Sequence, residues 1–416
     1  MFFRKLLGKV FLQGTLDVRY GDGSREIYGD GQAPRVAIAI RDAKTERWMS
    51  LNPSLRVAEA YMDGRLLVEE GSIRDFMDLV GRNFANLESQ RWMRATAGLL
   101  RQGRRLKQFN PMGRARKNVA HHYDLSSRLY DLFLDADRQY SCAYYPRPDT
   151  TLEDAQAAKK RHIAAKLLLN RPELKVLDIG SGWGGLGLYL AQSSQCQVTG
   201  VTLSEEQHKL SQERVAAAGL SRRVEFKLED YRQQTERFDR IVSVGMFEHV
   251  GKKNYGEFFS RTYDLLEDDG VFLLHSIGRF GRPAPINPFM RKYIFPGADV
   301  PSLSEVMAAV ERVGWQVTDI EILRLHYAMT LEDWYERFQA NRAAVAELYD
   351  ERFCRMWEMY LAGCEMGFRH QDLMVFQMQL AKKHASVPIT RDYMVDSERG
   401  DWRILNAAAG SRVRTG

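Results

Sequence analysis

The sequence is poor in cysteine and has no long apolar run. Its 416 residues include four cysteines, at irregular positions: Cys142, Cys196, Cys354 and Cys364. This spacing predicts neither a disulfide framework nor a zinc ligand set, and it favours a reducing compartment. The apolar run near the N-terminus is too short for a signal peptide, and no stretch approaches the length of a membrane span. We therefore expect a cytoplasmic protein that is long enough for more than one domain.

Acidic residues are absent from one segment, between Arg91 and Lys117. The net charge of the chain is only +6, but this segment is rich in arginine and lysine, with Trp92 and Phe109 among the interleaved apolar residues. Such a segment can lie on an anionic membrane surface, or it can form a solvated helix face, and the sequence favours neither. No nucleic-acid-binding motif accompanies the charge, so nucleic acid is not an expected partner.

Residues 1–110 are predicted to form a smaller α+β domain. Alternating apolar residues predict strands at 16–20 and 35–41, and helical spacing predicts helices at 55–62 and 73–87. No catalytic constellation occurs in this part of the chain. Lipid binding or association is therefore its expected role.

The rest of the chain is organised around a glycine-rich turn within VLDIGSGWGG, residues 176–185. Its apolar start predicts a buried strand, and its glycines permit close approach of a cofactor because they lack a Cβ. Two patterns fit: G-x-G-x-x-G of dinucleotide-binding proteins through Gly180, Gly182 and Gly185, and acidic-x-G-x-G-x-G of S-adenosylmethionine (SAM) methyltransferases through Asp178, Gly180, Gly182 and Gly184. The next strand ends at Thr202 and lacks the acidic residue that binds an NAD ribose. This favours SAM, and a dehydrogenase remains open only if Thr202 is misplaced relative to the strand end.

Strands and helices alternate after this turn, which predicts a doubly wound, mostly parallel α/β sheet. Further strands are predicted at 197–202, 224–228, 240–244, 271–276 and 315–322, and helices at 152–169, 205–218, 254–266 and 305–313. The five prolines of residues 279–301 are typical of a loop that covers a substrate site. Residues 331–383 are predicted to be helical, with aromatic side chains that suit a core or an acyl channel. A poorly ordered tail is expected after residue 385.

Several blocks of the sequence match one known family. They are His122-Tyr-Asp-Leu, Tyr140-Ser-Cys-Ala-Tyr144, Val176 to Gly185, Val201-Thr-Leu-Ser-x-x-Gln207, Ser243 to Gly251, Leu274-His-x-Ile-Gly278, Tyr293-Ile-Phe-Pro-Gly297, His326-Tyr327 with Thr330-Leu331, and Arg355-Met-Trp with Tyr360-Leu-x-x-Cys364. In these blocks the chain resembles the cyclopropane-fatty-acyl-phospholipid synthases and the related mycolic acid cyclopropane synthases. The N-terminal unit resembles the extra domain of the bacterial phospholipid synthases, which the mycolate enzymes lack. The resemblance implies a Rossmann-like SAM-dependent methyltransferase fold with helical additions, and an intact phospholipid as the substrate.

The family reaction adds a methylene from SAM across a cis double bond of an acyl chain, with a bound bicarbonate as the base. The resemblance assigns the bicarbonate to the side chains of Glu248, His275 and Tyr327 and to the backbone N–H groups of Cys142 and Ile277. A small anion needs several converging donors away from water, and this set would supply them.

Other residues near this site have expected roles of their own. Tyr140, Tyr144 and Phe247 are expected to offer ring faces to a carbocation. Cys364 matches a position once considered a nucleophile in the family, but the mechanism needs no covalent step, which favours a structural role. Without the resemblance, His275 would be interpreted as a core histidine, and Glu248 as equally a turn cap or a functional residue at a strand end.

The resemblance also implies a SAM site. Its residues are Tyr140, Ser141, Asp178, Gly180, Gly182, Gly184, Thr202, Leu203, Gln207, Asp230 and Tyr231. The glycine turn should face the methionine end of SAM, and Asp230 should accept from the adenine amino group. Gln207 also completes a capping box with Ser204, so it is expected to serve the helix as well. The chain departs from the family at Ser181, usually cysteine, and Ser276, usually threonine, and we expect the turn to survive.

These observations together predict a cyclopropane synthase that acts on membrane phospholipids at the inner face of the membrane. Its parts are a lipid-binding or association domain (1–110), a catalytic domain (111–385) and a tail (386–416). One alternative is a SAM enzyme that stops at C-methylation and makes a methyl or methylene branch, although the complete bicarbonate set favours ring closure. The other is a lipid-binding protein with a relict SAM fold, against which the intact glycine turn argues. A homodimer is expected on the resemblance alone.

Overall fold

We describe residues 2–89 and 126–400 of a computed structural model of the chain. The basic segment between Arg91 and Lys117, the predicted domain boundary at residue 110, the block that begins at His122, and residues 401–416 lie outside the described residues.

The N-terminal unit is a four-stranded sheet covered by helices. Its elements are α1 (Phe2–Val10), β1 (Thr15–Arg19), β2 (Arg25–Gly29), β3 (Arg35–Ile40), α2 (Ala43–Leu51), α3 (Pro53–Met62), β4 (Leu66–Glu70), α4 (Ile73–Arg82) and α5 (Phe84–Ser89). The strand order is β2-β1-β3-β4, with β1 antiparallel to β2 and parallel to β3. The predicted strands at 16–20 and 35–41 are confirmed.

The helix predicted at 73–87 is two helices, separated at Asn83. The side-chain oxygen of this buried residue accepts hydrogen bonds from the N–H groups of Leu12 and Gln13, at 2.9 and 3.0 Å. Its amide nitrogen donates to the carbonyl oxygen of Gln13 at 2.9 Å. Asn83 therefore satisfies backbone groups that follow α1, which a pattern of apolar residues does not reveal.

The second unit is a seven-stranded sheet with helices on both faces. Its elements are α6 (Ser127–Asp131), α7 (Leu152–Lys166), β5 (Lys175–Ile179), α8 (Gly185–Ser194), β6 (Gln197–Thr202), α9 (Glu205–Ala217), β7 (Val224–Leu228), β8 (Phe238–Val244), α10 (Tyr255–Leu265), β9 (Leu266–Arg279), α11 (Leu303–Val313), β10 (Gln316–Ile322), α12 (His326–Ala340), α13 (Arg342–Leu348), α14 (Glu351–His370), β11 (Leu373–Ala381) and α15 (Asp392–Glu398). Short helical turns lie at Tyr231–Gln233, Phe247–His249, Lys252–Asn254, Met290–Ile294 and His384–Ser386.

The order of the strands is β10-β11-β9-β8-β5-β6-β7. Strands β9, β8, β5, β6 and β7 pair in parallel, whereas β11 pairs antiparallel with both of its neighbours, β9 and β10. After β5 the chain forms β6 on one side of β5, and it later forms β8 on the other side of β5. In open α/β sheets, ligands bind beyond the carboxyl ends of the strands at such a switch point.

Two predictions for the C-terminal part are wrong. Residues 373–381 were predicted to be helical but form β11, which lies between β9 and β10. Its residues are almost all buried, so the strand lacks the alternation that distinguishes a strand from a buried helix. The tail after residue 385 was expected to be poorly ordered, yet α15 buries Tyr393 and Met394 against Leu168.

The two units share a polar interface centred on α14. The Arg74 guanidinium of α4 donates two hydrogen bonds to Glu365 of α14, at 2.7 and 2.8 Å, and pairs with Glu332 of α12. The Tyr61 hydroxyl of α3 donates to Glu358 of α14 at 2.6 Å. Because Glu358 and Glu365 are buried, each needs these donors to offset the cost of leaving water.

Candidate active site

The glycine turn after β5 forms one side of a cavity at the switch point of the sheet. Gly180, Gly182 and Gly184 all have positive φ angles, of 82°, 56° and 83°. A Cβ at Gly182 would meet no atom within 4 Å, and this glycine lines the cavity, so a side chain there would occupy the space of a ligand. A Cβ at Gly184 would come within 2.8 Å of the Phe226 ring, which makes Gly184 a residue of close helix–sheet packing.

Ten of the eleven residues predicted to bind SAM line this first cavity. They are Tyr140, Ser141, Asp178, Gly180, Gly182, Thr202, Leu203, Gln207, Asp230 and Tyr231. Gly184 is the exception, since it does not line the cavity. The N–H of Gln207 donates to the Ser204 side chain at 3.3 Å, so Ser204 caps α9. The predicted capping box is not completed, because the Gln207 Oε1 accepts from the Thr202 hydroxyl at 2.9 Å.

Two polar atoms in the turn are buried and have no hydrogen-bond partner in the protein. They are the Asp178 Oδ2 and the Ser181 Oγ, and both residues line the first cavity. Burial raises the pKa of Asp178 to about 7. Unsatisfied polar atoms at a cavity wall are costly unless a ligand meets them. The glycine cradle and these two atoms therefore fit a polar ligand such as the amino-acid end of SAM.

Asp230 is less available than the sequence predicted. Its two carboxylate oxygens accept hydrogen bonds from the Arg232 side chain at 2.9 and 2.7 Å, and Oδ1 also accepts from the Arg232 N–H at 3.0 Å. The residue caps the turn at Tyr231–Gln233. Asp230 still lines the cavity, but much of its accepting capacity is used by Arg232.

Lys159 of α7 is a cavity residue that sequence reasoning missed. Its ammonium group is 1% exposed and donates to Gln139 Oε1 at 2.6 Å and to Ser141 Oγ at 2.8 Å. Burial lowers the pKa of Lys159 to about 8, although Asp135 and Asp137 act against this. The only available signal was a lysine on the apolar side of a helix, a pattern that exposed lysines also produce. Lys159 fixes the two residues that flank Tyr140.

A second, larger cavity of about 1510 Å³ adjoins the first. The five residues that the resemblance assigns to bicarbonate all line it, namely Glu248, His275, Tyr327, Cys142 and Ile277, and so does Cys364. Four residues, Tyr140, Ser141, Gly245 and His249, line both cavities. The sequence blocks that carry these residues are far apart in the chain, and the fold brings them to one place.

Glu248 lies in the turn after β8 and is 6% exposed. Its Oε1 accepts a hydrogen bond from the Ile277 N–H at 2.6 Å, while its Oε2 is buried without a partner. Burial raises the pKa of this carboxyl to about 7. The Ile277 N–H, which the resemblance assigns to bicarbonate, is thus donated to Glu248 in this structure.

His275 lies on β9 opposite Gln377 of β11. The Gln377 Nε2 lies 3.1 Å from the His275 Nδ1, and burial lowers the pKa of His275 to about 3, so the ring is neutral. In this orientation of the Gln377 amide its nitrogen can only donate, so we assign Nδ1 as the acceptor and the ring proton to Nε2. Gln377 was missed because its segment was predicted to be helical.

Aromatic side chains line the second cavity, but only one of the three predicted ones does so. Tyr140 is there, and its hydroxyl is 2.8 Å from that of Tyr360. Tyr144 is instead stacked between His162 and His326, and Phe247 packs among buried rings. The predictions for these two residues are wrong. The further phenylalanine and tyrosine rings of the cavity are those of Phe84, Phe280, Phe295, Tyr327, Tyr360 and Phe368.

The cysteines at the site are not activated thiols. Burial raises the pKa of Cys364 to about 12 and raises that of Cys142 further above its ordinary range. A thiol that keeps its proton at neutral pH is a poor nucleophile. This agrees with the structural role favoured for Cys364.

The strand order, the glycine turn and the cavity at the switch point define a class, the SAM-dependent methyltransferases. The structure matches that of mycolic acid cyclopropane synthase CmaA1 complexed with S-adenosylhomocysteine and CTAB, with a TM-score of 0.61 and 36% identity over 65% of this chain and 99% of that one. SAM is therefore the cosubstrate of this enzyme.

The sequence comparisons identify the family. The family model for mycolic acid cyclopropane synthetase matches residues 111–378, and the chain belongs to that family. It is 41% identical to cyclopropane-fatty-acyl-phospholipid synthase of Escherichia coli (strain K12), over 85% of this chain and 89% of that one. It is 40% identical to a probable fatty acid methyltransferase of Pseudomonas putida, over 66% and 73%. Residues 2–90 match a domain of unknown function.

The described part of the chain contains neither a membrane-spanning helix nor a metal-binding cluster. In residues 2–89 and 126–400, no helix is both long and apolar enough to cross a bilayer. In the same two ranges, no group of three or more histidine, cysteine, aspartate or glutamate side chains is placed to hold a metal ion.

Proposed function

We propose that the protein converts the cis double bond of a membrane phospholipid acyl chain into a cyclopropane ring, with bicarbonate as the base. The observation that carries this proposal is the shared wall of the two cavities. The SAM-facing cavity and the large aromatic cavity meet at Tyr140, Ser141, Gly245 and His249. A methyl donor in one and an alkene in the other would then meet at this wall.

The size and lining of the second cavity suit a lipid. Pockets for small molecules are typically about 300–1,000 Å³, and this cavity of about 1510 Å³ exceeds that range. Its mouth includes Leu51 of the N-terminal unit and Phe280, which are 81% and 62% exposed. Two exposed apolar side chains at the mouth support contact with a membrane surface, from which an acyl chain would enter.

The chemistry requires the residues of the chain to stabilise a carbocation, to exclude water and to hold a base. SAM, when bound, supplies the electrophilic methyl carbon. The π electrons of the alkene would form the new C–C bond as the S–CH3 bond breaks and S-adenosylhomocysteine leaves, so that one alkene carbon becomes cationic. Transfer of a proton from the added methyl to the base would then leave the C–H electron pair to form the second C–C bond of the ring. The faces of Tyr140, Tyr327 and Tyr360 can stabilise the positive charge, and an acyl chain that fills the cavity would keep water from capturing the cation.

The base would be held at the floor of the second cavity. The unpartnered Glu248 Oε2 and the Nε2–H of His275 belong to residues that line the second cavity, and they fit a small oxyanion that has both a hydroxyl and acceptor oxygens. Below pH 7 a protonated Glu248 can also donate to the anion. Tyr327 lines the same cavity and completes the set of side chains.

A C-methyltransferase that leaves a methyl branch is the second candidate. Its support includes the 40% identity to a probable fatty acid methyltransferase and the 34% identity, over 91% of this chain, to a tuberculostearic acid methyltransferase of Mycobacterium tuberculosis. The two reactions share the first bond formation and differ in what happens to the cation. A base poised beside the cation favours ring closure.

The test uses purified protein, SAM and vesicles of a monounsaturated phosphatidylglycerol, with and without added bicarbonate. We expect methylene transfer that requires bicarbonate and falls at least a hundredfold in Glu248→Gln. The affinity for S-adenosylhomocysteine, measured by calorimetry, should change little in this variant, because Glu248 does not line the first cavity. If turnover and the affinity for S-adenosylhomocysteine fell equally, Glu248 would belong to the SAM site, and its assignment to the base site would be wrong.

A further inference from the structure

Arg279 is a buried arginine at the end of β9 whose donors are largely unused. It is 9% exposed, and its Nε is buried without a hydrogen-bond partner. Its Nη1 lies 3.5 Å from Asp372 Oδ2, at the limit of a hydrogen bond, and the Asp372 side chain is 42% exposed. Leaving the Nε–H donor unsatisfied away from water costs free energy, and the Nη groups have further donors to offer. The side chain is therefore placed for an acceptor that the protein does not supply.

Strand β9 leads from the floor of the second cavity to its mouth. Alternate residues of a strand share a face, and His275, Ile277 and Arg279 all line this cavity. His275 is 2% exposed, whereas Phe280, the residue after the strand, is 62% exposed. Arg279 thus lies on the same wall as the proposed base site, towards solvent.

The distance along the strand suits a lipid with a mid-chain double bond. Four residues of a strand span about 13 Å. One leaflet of a bilayer has about 15 Å of hydrocarbon, so a double bond in the middle of a chain lies about 8 Å from the ester. The glycerol adds a few bonds before the phosphate. With the double bond beside His275, the phosphate of the lipid would be near Arg279.

The charges at the mouth favour an anion there. Arg282 and Arg291 are exposed and line the cavity, and no carboxylate of the described residues pairs with either. Lys292 differs, because it donates to Glu59 at 2.6 Å. The acid that pairs with Arg279 is Asp372, which is exposed enough to turn to water when a phosphate replaces it.

We propose that Arg279 binds the phosphodiester of the phospholipid substrate and so sets the depth to which the acyl chain enters. Arginine suits this role because its planar donors match two oxygens of a phosphate. This proposal rests on the proposed function, since it assumes that the substrate is a phospholipid. It adds a residue that selects the phosphate-bearing lipid over a neutral one.

The experiment compares dioleoyl phosphatidylglycerol with dioleoylglycerol, each in the same neutral detergent micelles. The quantity measured is kcat/KM for each lipid, and the readout is their ratio. We expect Arg279→Met to lower the ratio about tenfold, the effect of losing one charge-assisted hydrogen-bonded pair, through KM more than kcat. Arg279→Lys should recover part of the ratio. Arg312→Met, an exposed arginine of α11, is the matched control and should leave the ratio unchanged.

Asp372→Asn separates this role from a structural one. If Arg279 serves only to pair with Asp372, this variant will lower the ratio as Arg279→Met does, and the proposal is wrong. The proposal predicts an unchanged or higher ratio, because Asp372 competes with the phosphate. Inhibition by inorganic phosphate with an unchanged ratio in Arg279→Met would indicate a free-phosphate site and would also overturn the proposal.

The failure of the proposed function has a different signature. In that case the wild-type protein would methylate neither lipid, although it binds S-adenosylhomocysteine. Failure of the Arg279 proposal instead leaves an active enzyme whose preference does not respond to Arg279. Calorimetry with S-adenosylhomocysteine confirms folding of each variant, because Arg279 does not line the first cavity.

Discussion

Glu248 has the environment that a residue beside a buried base requires. One of its oxygens accepts from the Ile277 N–H and the other has no partner. An ionised carboxylate so placed is costly, and burial raises its pKa to about 7. The group can therefore change its protonation state near neutral pH, which a surface glutamate does not do.

This pKa predicts how stability depends on pH. The ordinary pKa of a glutamate is 4.5, and the folded protein keeps the proton of Glu248 up to about pH 7. Between these values the unfolded chain binds fewer protons, so stability falls as pH rises through this window. Relative to Glu248→Gln, the wild-type protein should lose about 3 kcal/mol of unfolding free energy between pH 4.5 and 8.

Thermal unfolding of both proteins across this range measures the difference. Asp178 has a pKa raised in the same direction, but it is present in both proteins and cancels. A difference between the two unfolding midpoints that stays constant with pH would contradict the buried, neutral carboxyl.

Single residues of the site could be predicted from the sequence mainly where they lie in blocks that match the family. Glu248, His275 and Tyr327 line one cavity as the blocks predicted. Ring faces were less predictable: Tyr144 belongs to a matching block, yet it is stacked between two histidines. Lys159 and Gln377 were missed because a side chain that supports another residue carries no motif of its own.

Among the elements, β11 determines how His275 presents its proton. It places Gln377 opposite His275, and the Gln377 amide donates to the ring Nδ1. The proton of the neutral ring is then on Nε2, the nitrogen that can donate to an anion. A supporting residue of this kind fixes the tautomer and the orientation of the ring.

The variant Gln377→Glu tests this arrangement with almost no change of shape. An ionised carboxylate only accepts, so it should draw the ring proton to Nδ1 and leave Nε2 without one. We expect kcat to fall at least tenfold, with little change in the affinity for S-adenosylhomocysteine. Wild-type turnover in this variant would contradict the assigned tautomer.

The parallel strands were predictable and β11 was not, for a physical reason. β6 and β7 have the predicted bounds, because short apolar runs between helices and turns mark them. β11 is buried on both faces and follows a long helix, so its apolar run continues the helical pattern. The segment forms a strand because it pairs with β9 and β10, and such pairing is set by tertiary structure.

Across the whole molecule, the N-terminal unit is attached beside the opening of the second cavity. Leu51, Asn52 and Phe84 of this unit line the cavity together with residues of the catalytic unit. The Arg74 pair with Glu365 holds the two units together. Stability of this interface and access to the cavity should therefore be linked.

Arg74→Met should weaken the contact between the units. Glu365 is 4% exposed and would keep only Arg369 as a charged partner, at 2.7 Å. We expect a loss of about 2 kcal/mol in unfolding free energy, less than for a fully isolated buried charge. Arg82→Met is the control, since Arg82 forms an exposed pair with Asp78 of its own helix and should cost less than about 1 kcal/mol. Equal effects of the two variants in thermal unfolding would mean that the interface does not depend on Arg74.

The central claim is ring formation on a phospholipid acyl chain, and product analysis in cells tests it most directly. The measurement is gas chromatography–mass spectrometry of fatty acid methyl esters from a bacterium without cyclopropane fatty acids, with and without this protein. We predict acyl chains that gain one CH2, lose the double bond and resist mild hydrogenation. A gain of CH2 that gives a branched or still unsaturated chain would contradict ring closure and would identify the protein as a C-methyltransferase.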